Sequence, residues 1–107
     1  MNEQEFFADV RQAIADSFSA ETLNAIADRI RARRSIAPFA NASAVLVLSY
    51  ACRSIAAIWE GPVSDGDYGA IRARFETLFV LLLEALGNGD RALISSRADD
   101  LAAELLA

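Results

Sequence analysis

Asn41 to Gly61 reads NASAVLVLSYACRSIAAIWEG, and whether this stretch is a helix or a strand decides the fold class. The segment VLVLSY (45–50) is rich in β-formers and, by periodicity alone, is compatible with a short buried strand. The run nevertheless continues through the Ala-rich CRSIAAIW without a turn residue until Gly61-Pro62, a pair that stops helices. On a helix of roughly 3.6 residues per turn, Val45, Leu48, Cys52, Ile55 and Trp59 share one face, and Leu46, Val47, Tyr50, Ala51 and Ile58 cover most of the flanks. Only Ser49, Arg53 and Glu60 make a polar stripe. The stretch is therefore expected to be a central, largely buried helix. Asn41 or Ser43 is its N-cap, and Pro38 keeps it from running on from what precedes it. Arg53, the one charge inside the apolar run, is expected to be held by a carboxylate or by carbonyl groups, because burying it unpaired is prohibitively costly.

Working outward, a first helix is expected from about Asn2 to Phe18. Phe7, Val10, Ile14 and Phe18 form its stripe, Phe6 and Ala13 widen it, and Glu3 and Glu5 complement the dipole in the first turn. Ser19 reads as the N-cap of a second helix that ends near Arg34, with Leu23, Ile26, Ala27 and Ile30 inward. So short a connection implies an antiparallel hairpin. In the linker SIAPFA (35–40), Ile36 and Phe39 are expected to tuck against the core. After the turn PVSDGD (62–67), Asp65 or Asp67 caps a fourth helix reaching about Leu86. Tyr68, Ile71, Phe75, Leu78, Leu82 and Leu86 line one face of it, and Arg72 and Glu76 form an i,i+4 pair on another. Gly87-Asn88-Gly89 stops that helix and Asp90 starts a fifth, with Ile94, Ala98, Leu101 and Leu105 inward and Arg91 and Arg97 outward. The resulting fold class is all-α: a single helical domain over residues 1–107, a bundle of about five helices with the third and fourth as a central hydrophobic helical hairpin.

Composition narrows the function. The chain has 107 residues, 54% of them hydrophobic, which is long and apolar enough for one domain with its own core. Its ten basic residues are all Arg, set against fifteen acids for a net charge of −5, so binding to nucleic acid is not expected. The absence of Lys is most simply a mark of GC-rich codon use. The lone Cys52, inside the apolar helix, is expected to be a buried, inert thiol. The acidic start MNEQEFFADV lacks the basic region of a signal peptide. The longest uncharged apolar segments, Ala42 to Cys52 and Leu78 to Leu83, fall short of the ~18 residues that cross a bilayer. A cytoplasmic protein without membrane attachment is the expectation.

Chemistry is limited by what is missing. With no His there is no Ser-His or Cys-His nucleophile pair and no Glu-x-x-His di-iron motif; with no Lys there is neither a Schiff-base residue nor a phosphate-binding P-loop. No catalytic residue, cofactor or metal is therefore expected, and the chain reads as non-enzymatic. Paired carboxylates are the remaining acid-base option, and Glu76 and Glu84 stand two turns apart on the fourth helix. They read more simply as part of a solvated stripe with Arg72. Ser64-Asp65-Gly66-Asp67 resembles an acidic calcium loop only locally, since the remaining ligands are out of register; helix capping accounts for these acids.

Three groups of residues remain as candidate sites. Arg29, Arg31, Arg33 and Arg34 crowd the end of the second helix, where cations stabilise the dipole's negative end; they are also a candidate patch for an anionic partner. Tyr50, Arg53, Trp59 and Tyr68 are a candidate ligand pocket beside the central helices. Val80, Leu81 and Leu83 point away from the stripe of Phe75, Leu78 and Leu82, and are the candidate interface of a homodimer. Trp59-Glu60-Gly61, followed by Tyr68 and Phe75, resembles the Trp-x-Gly turn between the two helices of a family of small secreted helical-hairpin proteins. Pro38 interrupts the first long helix, the hairpin is far more apolar, and no Tyr-x-x-x-Asp/Glu export signal follows the fourth helix, so the chain is not assigned to that family. The leading expectation is a small helical protein-protein interaction or regulatory protein that self-associates. The alternatives are a small-molecule-binding helical domain with an apolar pocket near Trp59 and, more distantly, a carboxylate-dependent enzyme.

Overall fold

Polar caps fix where the helices begin. The computed structural model describes the backbone of residues 1–60 and 65–107 and the side chains of 1–60 and 69–107. Five helices are present among the described residues: α1 (Glu3–Asp16), α2 (Ala20–Arg34), α3 (Ala42–Glu60), α4 (Asp65–Asn88) and α5 (Arg91–Leu106). Asn2 Oδ1 accepts from Glu5 N–H at 2.8 Å, Ser19 Oγ from Thr22 N–H at 3.2 Å and Asp90 Oδ1 from Leu93 N–H at 3.2 Å. At α3 the Asn41 carbonyl accepts the first helical bond, from Val45 N–H at 3.1 Å. The expected acidic turn before α4 is shorter than its sequence suggests, because Asp65, Gly66 and Asp67 already belong to the helix. Neither aspartate stands at the N-cap, because both lie inside the helix; the cap position, residue 64, is outside the described residues. At the other end α4 continues through Gly87 and stops only where Gly89 takes φ +76° and donates to the Ala85 carbonyl at 2.9 Å.

The helices close into a ring. Going round, α1 packs on α2, α2 on α3, α3 on α5, α5 on α4, and α4 back on α1. Cross-helix pairs give the directions. Asp9–Arg29 with Met1–Arg33 run α1 against α2, Asp28–Arg53 with Asn24–Glu60 run α2 against α3, Arg11–Glu84 with Gln4 beside Gly89 run α1 against α4, and the short connection from Asn88 to Arg91 with Arg74–Glu104 runs α4 against α5. An odd ring of alternating helices must contain one pair running the same way. Here it is α3 and α5, whose N-terminal turns share a cleft lined by Ser43, Val47, Arg91, Ile94 and Ser95.

This arrangement corrects the expected central hairpin of helices three and four. Instead, α5 lies between α3 and α4 and packs on both. Both helices are apolar over more of their circumference than a single partner covers, and α5 supplies a second apolar stripe through Ile94, Ala98 and Leu101. The inward side chains of all five meet in one core, which includes Phe7, Leu23, Leu48, Ile55, Phe79, Leu82, Leu83 and Leu101, each almost free of solvent contact. Among the described residues no polar or charged residue is buried.

Two further expectations change. The buried face of α4 is not the line through Ile71 and Leu78: Phe79, Leu83 and Ala85 are fully buried, whereas Ile71 is exposed and Leu78 only partly covered. With α1 on one side and α5 on the other, the covered arc is wider than a single stripe and centres on Phe79 and Leu82. Ile36 is 88% exposed, while Phe39 alone folds back onto Phe6 and Phe7, with ring centroids 6.2 and 5.7 Å apart.

Candidate functional site

Arg53 is paired as expected, but at the surface. Its guanidinium reaches from α3 to the Asp28 carboxylate and the Asn24 side chain on α2, the latter at 2.9 Å, and both Arg53 and Asp28 remain well exposed. The rest of the expected pocket does not assemble around it. Tyr50 is 65% exposed on the outer face of α3. Trp59 is half-buried on another side of the helix, edge-on to Phe18 with ring centroids 4.9 Å apart. Nine residues separate Tyr50 from Trp59, and at roughly 100° each they face opposite ways. The side chain of Tyr68 lies outside the described residues.

Trp59 does line a separate open cleft of about 490 Å³, together with Asp16, Ser17, Ser19, Arg72 and Glu76. Arg72 does not close a simple pair with Glu76; its guanidinium carbon lies 5.9 Å from the centroid of Phe18 and 5.8 Å from that of Trp59. The cleft is rimmed by polar groups, unlike the apolar pocket expected there. Glu76 and Glu84 both border a shallow groove on the outer face of α4. Eight residues of helix separate them by about 12 Å, too far to share a proton, and Glu84 is held by Arg11 at 2.7 Å.

The arginine cluster divides by role. Arg29 pairs with Asp9 at 2.6 Å, Arg33 donates to the Met1 carbonyl at 3.2 Å, and both lie over the Phe6 ring. These two join α2 to α1. Arg31 and Arg34 are exposed and make no ion pair among the described residues.

Of the candidate interface, Leu83 is wholly inside the chain's own core and is not available for docking. The three residues do not form a patch, because Leu81 and Leu83 stand about 160° apart around the helix. Val80 and Leu81 are half-buried at the edges of the α4 groove, with Ala73, Thr77 and Glu84 between them.

The larger apolar surface lies elsewhere. On α3, Leu46 is 70% exposed and Tyr50 65%; with Ala57 they run along the outside of the helix whose opposite face carries Val45, Leu48, Cys52 and Ile55 into the core, while Ile58, 46% exposed, lies about 120° round from Leu46 on the flank beside Ile55. The sequence puts Leu46, Tyr50 and Ile58 on the flanks of a helix expected to be largely buried. The signal it passed over is that Ser43, Arg53 and Ser54 fall on the same arc as Leu46 and Tyr50, which marks that arc as solvent-facing. Taken whole, α3 has 19 residues and a mean hydropathy of 1.5, long and apolar enough to cross a membrane by length and composition. The expectation that no segment reaches that length counted only runs uninterrupted by Arg53. Among the described residues no cluster of three or more metal-binding side chains occurs. No protein-family model, no curated protein and no solved structure matches the chain.

Proposed function

We propose that this protein is a non-enzymatic interaction protein that self-associates, and that its docking surface is the outer face of α3. One observation carries the reading: a helix that supplies much of the core also presents Leu46, Tyr50 and Ala57 to solvent over three turns. Burying a side chain such as Leu46 gains roughly 1.5–3 kcal/mol, and monomeric proteins keep contiguous exposed apolar patches small. The α4 face expected for the interface is the weaker candidate, since α1 and α5 leave only the edges of Val80 and Leu81 uncovered.

Sedimentation equilibrium at micromolar concentration tests the reading. The wild type is expected to show twice the chain mass of 11.5 kDa, and Leu46→Glu with Ala57→Glu to yield a monomer of unchanged helicity. A wild type that stays at the single-chain mass across the accessible range would refute self-association. A second reading, small-molecule binding, has support from the cleft beside Trp59. Trp59 is the chain's one tryptophan, so a saturable change in its fluorescence on screening aromatic and anionic compounds would favour that reading.

A further inference from the structure

The docking face of α3 continues onto α2, and the combined surface carries a charge gradient. Glu21, in the first turn of α2, and Glu60, the last residue of α3, are exposed at one end. Because α2 and α3 are antiparallel, the exposed Arg31 and Arg34 of the last turn of α2 stand at the other end, beside the first turns of α3. Midway, Arg53 and Asp28 neutralise one another. Leu46, Tyr50 and Ala57 run the length of the face between these ends.

Resting on the reading above, we propose that the occupant of this face is a second copy of the chain, laid antiparallel across a two-fold axis that passes near the Arg53–Asp28 pair. Such an axis turns the copy end for end. Arg31 and Arg34 then meet Glu21 and Glu60 of the copy, and the same pairing repeats on the other side of the axis. Leu46 comes opposite Ala57 of the copy. Both chains use one surface, so the contact closes at two subunits. Parallel packing would instead stack arginine on arginine and glutamate on glutamate, which penalises that alternative. An anionic lipid surface matches only half of the face, since Glu21, Asp28 and Glu60 would be driven against it.

Charge reversal tests the arrangement in the intact chain. Arg31→Glu with Arg34→Glu, and separately Glu21→Arg with Glu60→Arg, should each weaken association about tenfold or more. Mixed in equal amounts, the two variants should recover the dimer mass, because the all-acidic face of one complements the all-basic face of the other. Should either reversal lower helicity by circular dichroism, Arg31→Gln with Arg34→Gln replaces it, with the same loss expected. A dimer that Leu46→Glu breaks and the charge variants leave untouched would overturn the antiparallel arrangement while leaving self-association standing. A wild type that is monomeric at all concentrations overturns both, as does a monomer that floats with phosphatidylglycerol vesicles through this face.

Discussion

Arg53 and Cys52 are neighbours in sequence with opposite fates. Arg53 sits on the side of α3 that faces α2 and finds Asp28 and Asn24 at the surface; Cys52, one step round the helix, has no solvent contact. Burial pushes the Cys52 thiol up to about 12, against the opposing pull of the Arg53 cation. In the unfolded chain the thiol ionises near 9.0, so between these values the unfolded state gives up a proton that the folded state keeps. The stabilisation is complete below pH 9 and fades as pH rises toward 12. The advantage of the wild type over Cys52→Ala should therefore narrow by ~1.4 kcal/mol per pH unit across that window in urea titrations. An advantage that is flat from pH 9 to 11 would mean that the thiol is not held protonated by the core. Glycines give a second contrast at this scale. Gly89 has φ +76°, and a β-carbon there would stand 2.6 Å from the Gln4 amide nitrogen, whereas one at the helical Gly69 would meet nothing within 4 Å. Gly89→Ala should cost ~1–2 kcal/mol and Gly69→Ala should stabilise by ~0.5–1 kcal/mol; thermal unfolding of both would expose an error in either sign.

Elements differ in how much of their packing their sequence reveals. In α1 and α2 one stripe faces one core, so Phe7, Val10 and Ile14, and likewise Leu23, Ile26 and Ile30, were legible from spacing alone. In α3 and α4 apolar residues surround most of the helix, and periodicity cannot say which arc its neighbours cover. That choice belongs to the order of helices around the ring. Hence Leu83 proves to be core and Leu46 surface, where composition favoured neither. The distinction is measurable. Leu83→Glu should unfold the domain, since an unpaired carboxylate in the core costs more than most domains can lose. Leu81→Glu and Leu46→Glu should leave the fold intact, with a stability change within about 1 kcal/mol below the association range. Circular dichroism at low protein concentration separates them, and a folded Leu83→Glu variant would mean that α4 is rotated from the orientation described. The candidate sites were legible in the same uneven way. The spacing of the arginines announced a cluster, but not that Arg29 and Arg33 would spend their charge on Asp9 and the Met1 carbonyl, because those partners lie on another helix.

For the whole molecule, the insertion of α5 between α3 and α4 ties together fold and function. It covers the inner flanks of both apolar helices and leaves α3 open on its outer side, next to α2. A closed core and an open apolar face are thus two halves of one helix. The face should report itself in stability as well as in mass, because anything that binds only the folded state raises the unfolding midpoint with concentration. The most direct measurement is the urea midpoint of the wild type and of Leu46→Glu over a hundredfold range of protein concentration. The expected result is a wild-type midpoint that climbs with concentration and a Leu46→Glu midpoint that is constant, with both proteins fully helical before the transition. Two constant, superimposable midpoints would contradict it, and would make the outer face of α3 an ordinary surface of a monomer.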